Sequence, residues 1–567
     1  MRVFNSYLFC VLLLVSHISF AGEPNGAKDK TGNPQSLATS DDPDVLYKRH
    51  FYKEALDKYL PIFQQNRDND DLAYKIGICY LRGTLDYQKG IPFLKKAAES
   101  GKGEPDSYYM LGKLYQFSLM FDNAIGAFTK SVETLTQKSW GGNEIADIKV
   151  HSAQEIENCK YAKQMVQQPV NVTFENVGKE VNTAFIESDP YITPSKTELV
   201  FSSNRADGNQ CEKPRKQGYT FDVYMSIFKV GKWSKATNMG PTINTPLNER
   251  VSSISTDGST MFLYIDNEES SKDGDIYVAT QSAKSFTTPI NLKGLVNSSS
   301  EESSASISFD GSKLYFASDR DGGMGGKDIY VAKKMPSGDW AEPKKLTDVV
   351  NTNLNEDYPM IMPDDKTLYF ASEGHNNFGG YDIFRTIWVD SLNNWSEPEN
   401  LGYPVNTPQD NYNISVTDKL HEGYISAIRP EGFGNYDIYK IIFNDAESAP
   451  YSILRAKINS DDPQGVVTDI KVKVTDKKTE KVVGKYNISA KKKGDFFGIF
   501  LPGEYSLEIV NEQSKPLTYD FSVIDKNMRG ELIKKDFMLS GLNTPAPQKL
   551  EEPKKNHKEV KKPQHKK

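Results

Sequence analysis

The sequence predicts a multidomain chain: an α-helical N-terminal part, a five-bladed β-propeller and a small C-terminal β-sandwich. Three observations predict it. Apolar residues follow a helical period from about residue 43 to residue 168. Five Asp-aliphatic-aromatic triplets then recur at intervals of 53, 53, 54 and 55 residues. Beyond residue 450 the apolar pattern alternates as it does in strands. With 567 residues the chain has room for three or four domains of ~150 residues each. Its 30 Tyr, set among Gly, Asn, Ser and Asp, favour turn-rich β-structure. A net charge of −7 argues against a general nucleic-acid binder, so none is expected as a partner.

Taken in order, residues 1–21 read as a secretory signal peptide. An apolar run from Tyr7 to Val15 is followed by Ser19-Phe20-Ala21, with small residues at the −3 and −1 positions for cleavage after Ala21. No later stretch is apolar for long enough to span a bilayer, so no transmembrane segment is expected once the signal is removed. Residues 22–42 read as a polar linker. Of four Cys, Cys10 lies in the signal. Cys79, Cys159 and Cys211 make neither a disulfide framework nor a zinc pair.

The helical segment, 43–168, carries a spacing with a physical meaning. Leu111-Gly112-x-x-Tyr115 is followed by Ala124-x-x-x-Phe128, and Ile76-Gly77-x-x-Tyr80 is an earlier, more degenerate copy. These match the tetratricopeptide pattern, in which small residues let two helices approach and aromatics fill the space between them. Gly77, Tyr80, Gly112, Tyr115, Ala124 and Phe128 are therefore expected to pack helix against helix, leaving a concave groove suited to a peptide or protein. An ordinary helical bundle is the alternative reading.

Residues 169–445 hold the repeat. Its triplets are Asp222-Val223-Tyr224, Asp275-Ile276-Tyr277, Asp328-Ile329-Tyr330, Asp382-Ile383-Phe384 and Asp437-Ile438-Tyr439. Each follows a strand such as Leu314-Tyr315-Phe316-Ala317-Ser318, and an Asn corner (Asn244, Asn297, Asn351, Asn406) opens the next unit. Four strands in about 53 residues form a propeller blade. The triplet Asp is read as structural, bonding backbone amides of a turn, with a ligand or ion as the alternative. The segment after Asp437 lacks its last strand. The stretch from Pro169 to Thr183 looks like a last strand plus an Asn-Thr corner, so it is expected to close the ring beside residues 437–443.

Residues 450–540 read as a β-sandwich, with Leu501-Pro502-Gly503-x-Tyr505 between two strands, similar to the transthyretin-like, carboxypeptidase-regulatory-like domains. Residues 543–567 hold eight Lys against three Glu and read as a disordered, Lys-rich tail. The propeller units resemble TolB-type, WD-like repeats. The order of helical repeats, propeller and regulatory-like domain resembles the PorE-like family of Bacteroidetes envelope proteins. That family ends in an OmpA-like peptidoglycan-binding domain, for which no sequence is found here, so direct peptidoglycan anchoring is not carried over.

No Gly-x-Ser-x-Gly elbow, His-Glu-x-x-His motif or P-loop is present. His375 and His421 have no evident carboxylate partners, and the glycine-rich loops 319–327 and 374–380 lack EF-hand spacing. Hence no catalytic residue, metal ligand or cofactor is expected. The resemblance implies a non-enzymatic scaffold in the periplasm, associated with the outer membrane. Its partners would be envelope or secretion-system proteins of a type IX secretion or gliding-related complex. Two alternatives stand beside it: a module that binds glycan or peptidoglycan, and a hydrolase with an unrecognised propeller site, since 76 acidic residues allow many carboxylate pairs.

Overall fold

The computed structural model describes residues 42–540, apart from 102, 138–142, 194–195, 212–218, 256–257, 267–273, 283–284, 417–420, 445–451, 461–469, 481, 489–494, 501–502, 512–514 and 524–531. The signal peptide, nearly all of the linker, Leu501 and Pro502 of the Leu-Pro-Gly-x-Tyr stretch and the Lys-rich tail lie outside the described residues.

Seven helices come first: α1 (Pro43–Lys48), α2 (Tyr52–Gln65), α3 (Asp70–Gly83), α4 (Tyr87–Glu99), α5 (Ser107–Phe117), α6 (Phe121–Gln137) and α7 (Asn143–Met165). Their starts follow local chemistry. Pro43 opens α1 behind Asp42, whose carboxylate accepts from Asp44 N, and Asn69 caps α3 by accepting from Leu72 N at 2.9 Å. α4 buries Tyr87, Gly90, Leu94, Ala97 and Ala98, a single helical stripe. Gly77 lies against Leu94, and a Cβ at Gly112 would fall 2.5 Å from Phe128 Cε1. Ala124 and Phe128 are buried, and Tyr80 stacks on Phe93 at 5.9 Å. Tyr115 is partly buried against the same core.

The propeller follows as five sheets. Blade 1 holds Glu187–Ile192, Glu198–Ser203 and Asp222–Lys229, with two short outer pieces. Blade 2 holds Asn248–Ile254, Thr260–Asp266 and Asp275–Ser282; blade 3 holds Glu302–Ile307, Lys313–Ser318 and Asp328–Lys333. Blade 4 holds Glu356–Ile361, Thr367–Ser372 and Asp382–Val389; blade 5 holds Ile414–Val416, Glu422–Ala427 and Asp437–Phe443. The outermost strand of blade 5 is Val172–Asn176, paired antiparallel with Val172 opposite Phe443 and Asn176 opposite Tyr439. The two ends of the propeller sequence thus share one sheet, and the ring closes with no open edge at the seam. From blade 5 through blades 1, 2 and 3 to blade 4, the first strand of each blade touches the first strand of the next, so these strands line the ring's axis.

The helices and propeller form one compact unit, and most of the C-terminal part forms a second. That second unit pairs a three-stranded sheet (Asp495–Phe500, Ser452–Ser460, Leu532–Leu539) with a four-stranded one (Val482–Ile488, Ile470–Asp476, Gly503–Val510, Leu517–Val523). Leu454, Ala456, Ile458, Val472, Val474, Leu507 and Ile509 fill its core.

The expected fold class needs correcting. The molecule is predominantly β-sheet, and its seven described helices are one layer on the propeller, not a tetratricopeptide array. The Gly-to-aromatic spacings report close helix approach, which any antiparallel pair can use. Only the α3/α4 and α5/α6 pairs carry them, α1 has six residues, and repeat arrays need three or more units to bury a continuous core. The helical face is also occupied. Phe378, from the blade 4 loop, is fully buried in the helical core, edge-on to Tyr161 at 5.8 Å, and Gln116 Nε2 donates to its carbonyl at 3.1 Å.

Two glycines of the helical layer separate packing from propensity. Gly112→Ala is expected to cost about 1–3 kcal/mol through its clash with the Phe128 ring. Gly126→Ala, with no heavy atom within 4 Å, is expected to stabilise by up to about 1 kcal/mol. Urea unfolding of the two variants checks both signs.

Candidate functional site

The triplet residues lie on the third strand of each blade. Asp222 accepts from Gln210 N at 2.9 Å and from Asn238 Nδ2 at 2.7 Å. Asp328 accepts from Met324 N at 2.6 Å. Asp382 accepts from Phe378 N at 2.8 Å and Asn400 Nδ2 at 2.7 Å, and Asp437 from Phe433 N at 2.6 Å and Asn176 Nδ2 at 3.1 Å. Asp275 accepts from Asn291 Nδ2 at 2.8 Å. Burial pushes the Asp222 carboxyl up to about 6 and raises Asp328, Asp382 and Asp437 as well. The aromatic two residues on packs inside the blade. Tyr224 stacks on Phe201, Tyr330 on Phe316 and Phe384 on Phe370, while Tyr439 meets Phe174 edge-on and Tyr277 is half-buried. The guanidinium groups of Arg205 and Arg320 lie over the first two of these stacks.

The Asn corners join each blade to the next strand. Asn182, Asn244, Asn297, Asn351 and Asn406 each accept from the amide, and donate to the carbonyl, of the triplet's aliphatic residue. Five residues later a carboxylate bonds back to the corner. Glu187, Glu249, Glu302 and Glu356 each accept the amide and hydroxyl of the Thr or Ser four residues before them. Asn411 takes this place in blade 5. All four Glu are fully buried, and burial pushes Glu249 and Glu356 up to about 7.

The residues just after this buried position reach the axis. Asp189 accepts Arg250 Nε at 2.8 Å and Asn413 Nδ2 at 3.2 Å. Lys327 Nζ reaches Glu301 at 3.0 Å and Asp357 at 3.3 Å, and Ser303 and Ser304 also donate to Asp357. Tyr412 lies 5.4 Å from Tyr358, 5.5 Å from Tyr381 and 6.2 Å from Tyr436, tilted against each, and its hydroxyl donates to Asp410 at 2.9 Å. Asn355 Nδ2 donates to Glu373 at 2.6 Å. Glu301, Tyr358, Glu373, Asp410, Tyr412 and Asn413 all keep part of their surface open to solvent. Burial pushes the Glu373 carboxyl up to about 8, helped by Asp410, Glu356 and Glu155, and it pushes Asp410 up to about 6. The Asn413 carbonyl oxygen is buried with no hydrogen-bond partner.

Two backbone features aim this cluster. Asp189 and Tyr358 have φ of +52° and +51°, and the strand register shifts beside each, between Ser188 and Tyr191 and between Asp357 and Met360. Bulges of this kind re-aim side chains, and left-handed non-glycine residues cluster at ligand sites. The sequence reading missed this cluster. Its signal is a proline inside an inner strand, Asp189-Pro190 and Tyr358-Pro359, tolerated because that strand is the edge of its sheet and bulges there. His375 is engaged elsewhere, 2.9 Å from the Val350 carbonyl. Among the described residues no group of three or more His, Cys, Asp or Glu could hold a metal ion, and no helix is long and apolar enough to cross a membrane.

No protein-family model and no curated protein matches the chain. Solved structures do align with about half to two thirds of the chain. The exo-β-1,3-galactanase 1,3Gal43A of Clostridium thermocellum has a TM-score of 0.32 at 12% identity, covering 63% of this chain and 88% of its own. An α-L-arabinofuranosidase from Lactobacillus brevis has a TM-score of 0.31 at 11% identity, covering 50% and 96%. The α-L-arabinofuranosidase PaAbf62A of Podospora anserina, solved with cellotriose, has a TM-score of 0.27 at 13% identity, covering 49% and 95%. At such TM-scores the likeness transfers no activity to this chain. The structures named are glycoside hydrolases, not repeat or secretion proteins, and the expectation that the chain is not an enzyme, with the secretion-system description beside it, is corrected on chemical grounds. The expectation had rested on missing nucleophile and metal motifs, which carboxylate chemistry does not need.

Glu373 makes stability depend on pH. Its folded value lies near 8 and its unfolded value near ~4.3, so the folded state holds the extra proton between them. Stability contributed by that proton is present in acid and is lost as pH rises through about 8. Glu373→Gln is expected to flatten the fall in unfolding free energy from pH 6 to pH 9 by at least about 1 kcal/mol. Urea titrations at several pH values measure it.

Proposed function

We propose that the axial end of the propeller binds a polyhydroxylated ligand, a glycan. One observation carries the reading: at the axial end of the blades the half-buried rings of Tyr358 and Tyr412 lie tilted against one another, the Asn413 side-chain oxygen has no hydrogen-bond partner among the described residues, and burial pushes the Glu373 carboxyl up to about 8. Tyrosine faces suit the apolar faces of sugar rings. The polar groups suit hydroxyls, which both donate and accept. Asp189 and Tyr358, held at positive φ, indicate a mouth whose backbone is shaped for its side chains. A chain exported by its N-terminal signal would meet such ligands outside the cytoplasm.

Hydrolysis at the same mouth is the second reading, and Glu373 favours it. A carboxyl pushed up to about 8 is in the state a general acid needs at neutral pH, while Asp189 and Asp357 are ion-paired with Arg250 and Lys327.

Isothermal titration of the full chain with neutral hexasaccharides tests the proposal. Saturable binding is expected, and Asn413→Leu should weaken it about tenfold, the worth of one lost hydrogen bond in a dry site. Absence of binding across cellulose-, xylan- and arabinan-derived oligomers would overturn the reading. Reducing-end release from the same oligomers, abolished in Glu373→Gln, distinguishes hydrolysis from binding alone.

A further inference from the structure

Arg205, Arg320 and His375 hold one place in three blades. Arg205 Nη2 donates to the Val181 carbonyl at 2.6 Å, and Arg320 Nη2 donates to the Val296 carbonyl. Each carbonyl lies one residue before a corner Asn. In blade 4 it is His375 Nε2 that donates to the matching carbonyl, that of Val350, at 2.9 Å. The guanidinium groups lie over Phe201 and Tyr224 in blade 1, and over Phe316 and Tyr330 in blade 3. The imidazole lies against the matching pair, 5.9 Å from Phe370 and 5.2 Å from Phe384. Both arginines stand two residues after a strand-end serine, Ser203 or Ser318, to which each donates through Nε. In blade 4 that position is Gly374, where a Cβ would run into Thr352 Oγ1. The next residue, a histidine, serves instead.

From this replacement we infer that His375 is an acid-sensitive latch fastening the helical layer to blade 4. A guanidinium keeps its charge at any pH a protein meets, whereas an imidazole changes charge near neutrality. His375 stands in loop 374–380, whose Phe378 ring is seated in the helical core and whose Phe378 carbonyl accepts from Gln116. The neutral, half-buried ring holds this loop to the Val350 carbonyl and the aromatic pair. A protonated ring gains hydration only by leaving them, and the loop leaves with it.

The sign of the effect follows from the surroundings. Burial holds the imidazole below the usual histidine range, although the Val350 bond and the charge of Glu397 pull the other way. Its contribution to stability is therefore present above about 6.5 and is lost as pH falls through the folded value. The acids around the loop act in the opposite sense. Burial raises Glu356, Glu373, Asp382 and Asp410, so the protons they hold stabilise the fold in acid. From the helical layer Glu155, paired with Lys113, faces the loop at Gly379. Loosening of the loop in acid thus has the sign of the histidine and not of the raised carboxyls.

Amide hydrogen exchange of the full chain at about pH 7.5 and pH 5, corrected for the intrinsic rate at each pH, provides the test. Protection over 374–381 is expected to fall at least about threefold in acid, and that of α5, which carries Gln116, to fall with it. The matching segment of blade 3, 318–327, holds Arg320 and is expected to keep its protection. His375→Gln, which retains a donor for the Val350 carbonyl but does not titrate, should abolish the fall. Unchanged or rising protection over 374–381 in acid would overturn the inference. So would a fall confined to the loop, an equal fall over 318–327, or a fall that persists in His375→Gln. Should the variant not fold, the comparison of the two segments within the unaltered chain decides.

Discussion

One buried hydrogen-bonded corner recurs around the ring, and the rest of the propeller hangs from it. At each corner an Asn side chain clamps the third strand of one blade from both peptide sides. A buried acid five residues on clamps the start of the next blade. Neither group is exposed, so each would be costly to bury if its partners were absent. The corner therefore sets where the inner strand begins, and with it which side chains face the axis. In blade 5 the acid becomes Asn411, and the inner strand there is described over Ile414–Val416.

The axial cluster follows from that placement. Positions just past the buried acid are the first to reach the centre, and there the blades stop resembling one another: Ser188 and Asp189, Arg250, Ser303 and Ser304, Asp357 and Tyr358, Tyr412 and Asn413. The repeat stays constant where it packs and diverges where it meets the axis. Bulges at Asp189 and Tyr358 turn those side chains at the expense of regular pairing. Charges brought together there neutralise one another in pairs, while burial raises the Glu373 and Asp410 carboxyls.

The helical layer completes one side of this structure. Phe378 leaves blade 4 and becomes part of the helical core, and Gln116 and Glu155 approach the same loop. Gly379 has φ of +129°, and a Cβ there would run into Gln116, so the loop's glycine serves both the turn and the docking. The helices are thus held against the propeller by the buried Phe378 ring and by the Gln116 hydrogen bond to its carbonyl, while the Lys113–Glu155 pair ties two helices together beside them.

Much of the ring was legible in the sequence because its period is local. The Asp-aliphatic-aromatic triplets, the Asn corners and the closing strand each announce themselves within a few residues, since strand alternation and turn chemistry are short-range. The helical spacings were legible as helix contacts but misled as to architecture. Gly112 against Phe128 is the same contact whether the pair belongs to a repeat array or to a single layer. The axial site was not legible. Arg250 and Asp189 are 61 residues apart, and Lys327 and Asp357 are 30 apart. Only closure of the ring brings them to one place. The sequence by itself determined the blade and its count. The tertiary structure decided which of its 76 acidic residues face each other, because that depends on the blades' angular positions around an axis that no local pattern encodes.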